Sequence, residues 1–249
     1  MIQRRSSLLL GAVSILGLFL TGCSSVYLPN VPATPMFTNA GEGYLGAHVN
    51  VKGNLSGTAG VAFTDNLAII ANGSFIDNKT TNQDFKQHLI EGGLGYYTVV
   101  GHSGRSVLEF YGGYGIGSTR DVDKRASISG TDPVEIRDLD FNKIFVQANF
   151  SSTRKNKLRL FGKQRTLNYG TAIRVSRIKM DRFDLNNAPA ELEENLYIEP
   201  VFFTRMELNK GFQLQYTNGW NIGIMSNEYL KAGNAVFTLG LIYNFGKKK

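Results

Sequence analysis

Few residues in this chain have types and spacings that could do chemistry. Its 249 residues include one cysteine and three histidines. Cys23 has no second cysteine with which to form a disulfide or a thiolate metal site. No His/Cys/Asp/Glu grouping has metal-ligand spacing, and no glycine-rich phosphate loop is present, so no metal and no cofactor is expected. The histidines raise the question of hydrolysis. A serine nucleophile needs an imidazole within hydrogen-bond reach and an acid to orient it. His102 lies beside Ser103 in a turn signal, whereas His48 and His88 have no serine motif next to them. His88, near the rim of a strand, is the best catalytic candidate, but the sequence completes no constellation around it. The remaining ionisable groups lie inside alternating segments, so their chemistry depends on the face they take.

The elements that must position them are strands. After residue 41 apolar and polar residues alternate, which in a strand sends successive side chains to opposite faces. Leu45, Ala47, Val49 and Val51 oppose Tyr44, Gly46, His48, Asn50 and Lys52. Phe237, Leu239, Leu241, Tyr243 and Phe245 oppose Thr238, Gly240 and Asn244. Ten such segments are expected, at about 44–52, 55–64, 67–76, 85–99, 106–117, 141–151, 165–177, 195–207, 211–217 and 235–245. Abundant glycine, tyrosine and phenylalanine (28, 11 and 16 residues) agree with β-structure. A soluble sandwich and a transmembrane barrel both give this alternation. Strands of about ten residues are long enough to cross a bilayer at a tilt. Tight turns at Asp65-Asn66, 101–105 and Asn209-Lys210 alternate with longer polar connections, as in outer-membrane barrels. The fold class expected is therefore all-β: a transmembrane antiparallel up-and-down β-barrel of about ten strands, within a range of eight to twelve.

The N-terminal region reads differently. Arg4 and Arg5 precede an apolar stretch over 8–20 and the small residues before Cys23, as in a secretory signal peptide. Leu20-Thr21-Gly22-Cys23 resembles a bacterial lipobox. The resemblance implies cleavage before Cys23 and a covalent diacylglycerol/N-acyl lipid on its sulfur, so that this thiol is no nucleophile. Residues 1–22 are then signal, 23–40 a lipidated extended tether, and 41–249 the barrel. The tether holds three of the six prolines and no charge up to residue 40. Thr238-x-Gly240-x-x-Tyr243-x-Phe245 resembles the terminal signal by which bacterial barrels reach the barrel-assembly machinery. With Ile198-Glu199-Pro200-Val201 and 92–97, the chain resembles small outer-membrane β-barrel lipoproteins of the Bacteroidota type. That implies an integral outer-membrane location, with outer-membrane lipid, the assembly and lipoprotein-sorting machineries, and an envelope protein complex as partners. Ser24-Ser25-Val26 lacks the acidic residues typical of surface-exposed lipoproteins of that group, so the anchor is expected in the periplasmic leaflet.

With the apolar parity facing lipid, His48, Glu91, Glu109, Lys143, Arg174, Glu199, Arg205 and Glu207 face inward, joined by Lys52. Ions of both signs in a narrow lumen should pair, because an unpaired buried charge is costly. Inward Gly93, Gly95, Gly113 and Gly115 are read as space for Tyr97, Tyr111 or Phe145. The basic run 154–165 is read as a solvated periplasmic turn. A net charge of +7, falling to +5 once the two signal arginines are gone, points to anionic lipid or an acidic partner rather than nucleic acid in an exported chain. The leading expectation is a non-enzymatic structural or assembly-accessory protein of the cell envelope. The alternatives are a narrow channel or small-solute binder, and a lipid-modifying enzyme using His88.

Overall fold

The computed structural model describes residues 25–101, 104–127, 130–153, 157–160, 162–209, 211–231 and 235–246. The expected signal segment, Cys23, His102 and Ser103 lie outside the described residues. Ten strands make the wall: β1 (Gly43–Asn50), β2 (Leu55–Ala62), β3 (Leu67–Lys79), β4 (Gln83–Val100), β5 (Ser106–Ser127), β6 (Gly130–Thr153), β7 (Leu167–Leu185), β8 (Glu194–Asn209), β9 (Phe212–Trp220) and β10 (Ala235–Phe245). Each pairs antiparallel with its sequence neighbours, and β10 returns to pair with β1 from Gly43↔Phe245 to Asn50↔Thr238. The sheet is thus a closed up-and-down barrel, which leaves no wall edge unpaired. Both ends of the wall lie at one mouth, called here the near mouth; the opposite one is the far mouth.

The alternation does what a bilayer asks. Around the barrel, outward side chains such as Leu45, Val61, Ile69, Ile90, Phe110, Val146, Ile173, Phe202, Tyr216 and Leu239 form an exposed apolar belt. Inward positions at the same level mix buried polar groups with an apolar cluster that includes Phe37, Tyr44, Ile70, Phe145 and Ile242. Toward the far mouth this polarity inverts. Outside, Arg120 pairs with Asp138 at 2.7 Å, Arg182 with Asp140 at 2.8 Å and Arg177 with Glu194 at 2.5 Å. Inside, Leu139, Phe141, Ile178, Met180, Phe183 and Tyr197 form an apolar cluster. The exterior thus changes from an apolar belt below to charged pairs above, while each half of the barrel holds an apolar cluster inside.

Two features depart from the sequence expectation. The polar stretches 118–127 and 130–140, expected as loop, are the upper parts of the long strands β5 and β6; β3 and β4 also run on to a short tip at 80–82. Residues 25–37, expected as a tether outside the fold, are buried inside the barrel.

Candidate functional site

The site is the lumen, and its central element is the segment 25–40. Ser25 Oγ donates to the Lys231 carbonyl at 2.7 Å in the far-mouth loop between β9 and β10. Gln87 brackets Leu28, accepting from its N–H at 2.8 Å and donating to its carbonyl at 2.6 Å. The Phe37 N–H then points at Glu109 (3.4 Å). At the near mouth Thr38 N–H and Oγ1 donate to the Glu42 carboxylate (2.8 and 2.7 Å), and Ala40 N–H to Asp65. The segment thus descends the whole barrel and turns back into β1. From Leu28 to Phe37 is nine steps; their wall partners lie ten apart on β4, because Glu109 registers with Tyr97. Only extended chain keeps that pace.

The sequence of this segment suits its path. Pro29, Pro32 and Pro35 recur every third residue, the period of a polyproline II helix, which has no internal hydrogen bonds. A lone strand in a lumen has no ladder partner, and each proline removes one backbone donor that would need one. Wall side chains serve the carbonyls of Ala33 and Thr34, as Gln87 serves that of Leu28. Gln147 and Asn149 donate to Ala33 O (2.8 and 3.3 Å), and Arg205 donates to Thr34 O and Oγ1 (both 2.5 Å).

The lumen charges divide into levels around it. Near the top, Glu199 accepts from Tyr27 Oη (2.9 Å) and Ser176 (3.1 Å) and lies 3.4 Å from Lys143 Nζ. Lys143 also reaches Tyr27 Oη (3.0 Å) and Glu91 (3.3 Å). In the middle, Arg174 pairs with Glu91 at 2.6 Å, donates to Gln147, and reaches Asn30 Oδ1 at 3.3 Å. Asn72 adds a hydrogen bond to Glu91. Expected inward positions Glu91, Lys143, Arg174 and Glu199 are thus one ionic network. Lys143, Arg174 and Arg205 are each 0 % exposed.

The expected pairing of unlike charges does not extend to every member. Glu109 is held by Asn149 (3.1 Å) and Tyr111 (3.1 Å), with no cation within ion-pair distance among the described residues. Arg205 has no carboxylate partner either. It donates to Gln215 as well as Thr34, and its guanidinium stands 5.2 Å from the Tyr44 ring centroid and 4.8 Å from Phe203. Glu207 sits half-buried at the near end of β8, apart from the network, while Arg165 donates to its carbonyl. Lys52 is exposed in the β1–β2 turn. His48 is inward and buried, 3.4 Å from Thr58 Oγ1.

Three of the four inward glycines, Gly93, Gly95 and Gly113, seat rings as expected, whereas a Cβ on Gly115 would meet Glu91 Cβ at 2.8 Å. A Cβ on Gly113 would stand 2.4 Å from Phe145 Cζ, and one on Gly95 2.3 Å from Tyr111 Cδ1. Phe145 in turn supports the Arg174 guanidinium at 4.5 Å. Gly240 seats a ring as well: its Cβ would meet His48 Nδ1 at 2.2 Å. Of the terminal motif, Thr238 and Gly240 face the lumen, whereas Tyr243 and Phe245 face outward and stack at 5.9 Å.

The sequence missed Tyr27, Asn30 and Thr34 as lumen residues; the proline period and the uncharged run were the available signals. It also missed Glu193. Glu193 accepts from the backbone N–H groups of Glu228, Tyr229 and Leu230 and so latches the stretch 228–230 at the far mouth. The basic run is a small hairpin, Leu158–Leu160 with Lys163–Arg165, rather than a plain turn; 154–156 and Phe161 lie outside the described residues. His88 faces outward against Phe75 at 5.0 Å. Ser118 is its register partner on β5 and Asp140 that of Ser118 on β6. Among the described residues no hydrogen bond joins His88 to Ser118. The acid stands beyond the serine rather than behind the imidazole and is engaged by Arg182. This order does not make a relay.

No family model and no curated protein matches the chain. Among solved structures it is similar to a chain of the FpvAI–pyocin S2 complex, at 8% identity over 84% of this chain and 41% of that one, TM-score 0.24. It is also similar to P. aeruginosa FpvA bound to heterologous pyoverdines, at 7% identity over 81% and 40%, TM-score 0.23. The chain spans about two fifths of the length of these structures. A correspondence this shallow carries no argument, and the functional reading rests on the chain's own geometry.

Proposed function

We propose that this protein is an outer-membrane β-barrel lipoprotein, with lipid on Cys23 and a non-enzymatic, structural or assembly-accessory role in the cell envelope. The observation that carries the reading is the filled lumen. In a water-filled channel the segment 25–37 and the charges around it would be wet. Instead Tyr27, Lys143, Arg174 and Arg205 are wholly buried, and the chain's own N-terminal segment occupies the positions a solute would take. The apolar belt supports a wall set in a bilayer, and the long extensions of β4–β7 past the belt at the far mouth support a periplasmic near mouth. In this reading Tyr243 and Phe245 serve the assembly machinery from the lipid-facing side. Partners would dock on the charged upper barrel or on the basic near-mouth hairpin.

The test is electrical and biochemical. Purified protein in planar bilayers should show no steady conductance, and crosslinking in native outer membranes should capture envelope proteins. A large open-state conductance, with no crosslinked partner, would replace this reading with the channel.

A further inference from the structure

We infer that the segment 25–40 carries the lipid attachment point through the barrel, so that Cys23 stands at the far mouth and its acyl chains enter the outer leaflet. This replaces the periplasmic-leaflet anchor expected from the residues after Cys23. It rests on the proposed reading of the belt as an outer-membrane wall and of Cys23 as lipidated.

Three observations carry it. The first is direction. Ser25 is fixed to Lys231 at the far mouth, and Ala40 and Gly41 meet Asp65 and Ala62 at the near mouth. The second is reach. Cys23 precedes Ser25 by two residues, and consecutive Cα atoms are about 3.8 Å apart, so it lies within about 8 Å of Ser25. The descent from Leu28 to Phe37 alone takes nine residues, so two cannot return the lipid to the near mouth. The third is a place for the lipid. Ile222, Ile224 and Met225 are 52%, 58% and 46% exposed beside the loop that holds Ser25. Ile222 registers with Ile198 on β8, so this apolar shoulder continues the outward face of the wall at the far mouth. Charged surface covers the neighbouring β5–β7 exterior at that end, as Arg120, Arg177 and Arg182 show. An acyl chain leaving the mouth beside β8 therefore meets apolar wall.

Lipid attached on the periplasmic side must then pass the wall before the ring closes, with the barrel assembled around the segment behind it. The test uses the full chain in intact cells. A recognition site for a sequence-specific protease is inserted between Ser24 and Ser25 in one variant, and between Asn39 and Ala40 in another. Lys231→Cys, read with a membrane-impermeant thiol reagent, reports which mouth faces out, and palmitate incorporation against Cys23→Ala reports the lipid. The expected result is a labelled Lys231→Cys, palmitate lost in Cys23→Ala, external cleavage of the first insert, and cleavage of the second only after the outer membrane is permeabilised. With Lys231→Cys labelled and palmitate present, protection of the first insert until permeabilisation overturns the threaded path alone. An unlabelled Lys231→Cys or absent palmitate overturns the underlying reading and this inference with it. Heat-modifiable mobility verifies that each insert variant has folded. Should the first insert fail that check, cleavage of the second in intact cells overturns the inference and its protection there supports it.

Discussion

Arg174 and Arg205 are both fully buried cations, yet they are held by different chemistry. Arg174 faces Glu91 at 2.6 Å, so removing it strands a buried carboxylate with Lys143 as its remaining cation. Breaking a buried pair from one side costs about 3–5 kcal/mol. Arg205 faces carbonyl, amide and aromatic groups. Its loss leaves acceptors unpaired, worth about 1–3 kcal/mol. Arg174→Met should therefore lower the denaturant midpoint in detergent more than Arg205→Met does; equal effects would mean that Glu91 does not depend on its arginine. Gly240 allows a second test. A role in the proposed terminal assembly motif and the contact with His48 would each exclude a side chain, and the two explanations separate in a double variant. Gly240→Ala should impair barrel formation, and His48→Ser should restore it, because the clash is with the imidazole. Failure of rescue, read as the folded fraction by heat-modifiable mobility, would assign the glycine to recognition instead.

At the scale of the strand, the membrane boundary is written as a change of sign. Along β6 the outward positions run from Asp138 and Asp140 to Ile144, Val146 and Phe150, while Leu139 and Phe141 inside give way to Lys143, Gln147 and Asn149. The period of two continues through the switch. Sequence reading found the strands where the outward parity is apolar and lost them where it turns charged. That is why 118–140 looked like a loop although β5 and β6 stay paired up to Ser127↔Gly130, with one register shift at Asp123/Lys124. The ionic network was legible for the same reason the belt was: Glu91, Lys143, Arg174 and Glu199 lie below the switch, where parity fixes the face. Glu207 failed because the strand end no longer encloses it. The prediction here is positional. Val146→Arg, in the belt, should cost about 2–4 kcal/mol of membrane stability if it lies near the midplane. Arg120→Leu, above the belt, should change stability little, since an exposed ion pair is worth at most about 1 kcal/mol. Urea titrations of the two variants in lipid vesicles check the contrast, and a neutral Val146→Arg would move the bilayer off the belt.

For the whole molecule, the N-terminal segment converts a barrel of pore-forming shape into a closed body. Its sequence was the least legible part, because a polyproline II chain shows no amphipathic period and its burial depends on the ten strands that follow. Besides its proline period and uncharged run, two lumen ions point back to it: Glu109 and Arg205 lack ionic partners among the described wall residues and are served by Phe37 and Thr34. Replacing 25–37 with an equally long glycine–serine stretch should therefore raise conductance from near zero to discrete openings while the β-sheet content is kept. A closed trace from that variant would mean the wall side chains collapse to fill the space.

The turn at 38–42 has a further consequence. It ties the lumen segment to β1 through a few residues, with Thr38 bound back onto Glu42. The segment is thus a permanently attached competitor for its own site, and a short connection corresponds to an effective concentration in the millimolar range. Any free solute seeking Glu199, Arg174 or Arg205 faces that competitor at every encounter, and diluting the protein does not weaken it.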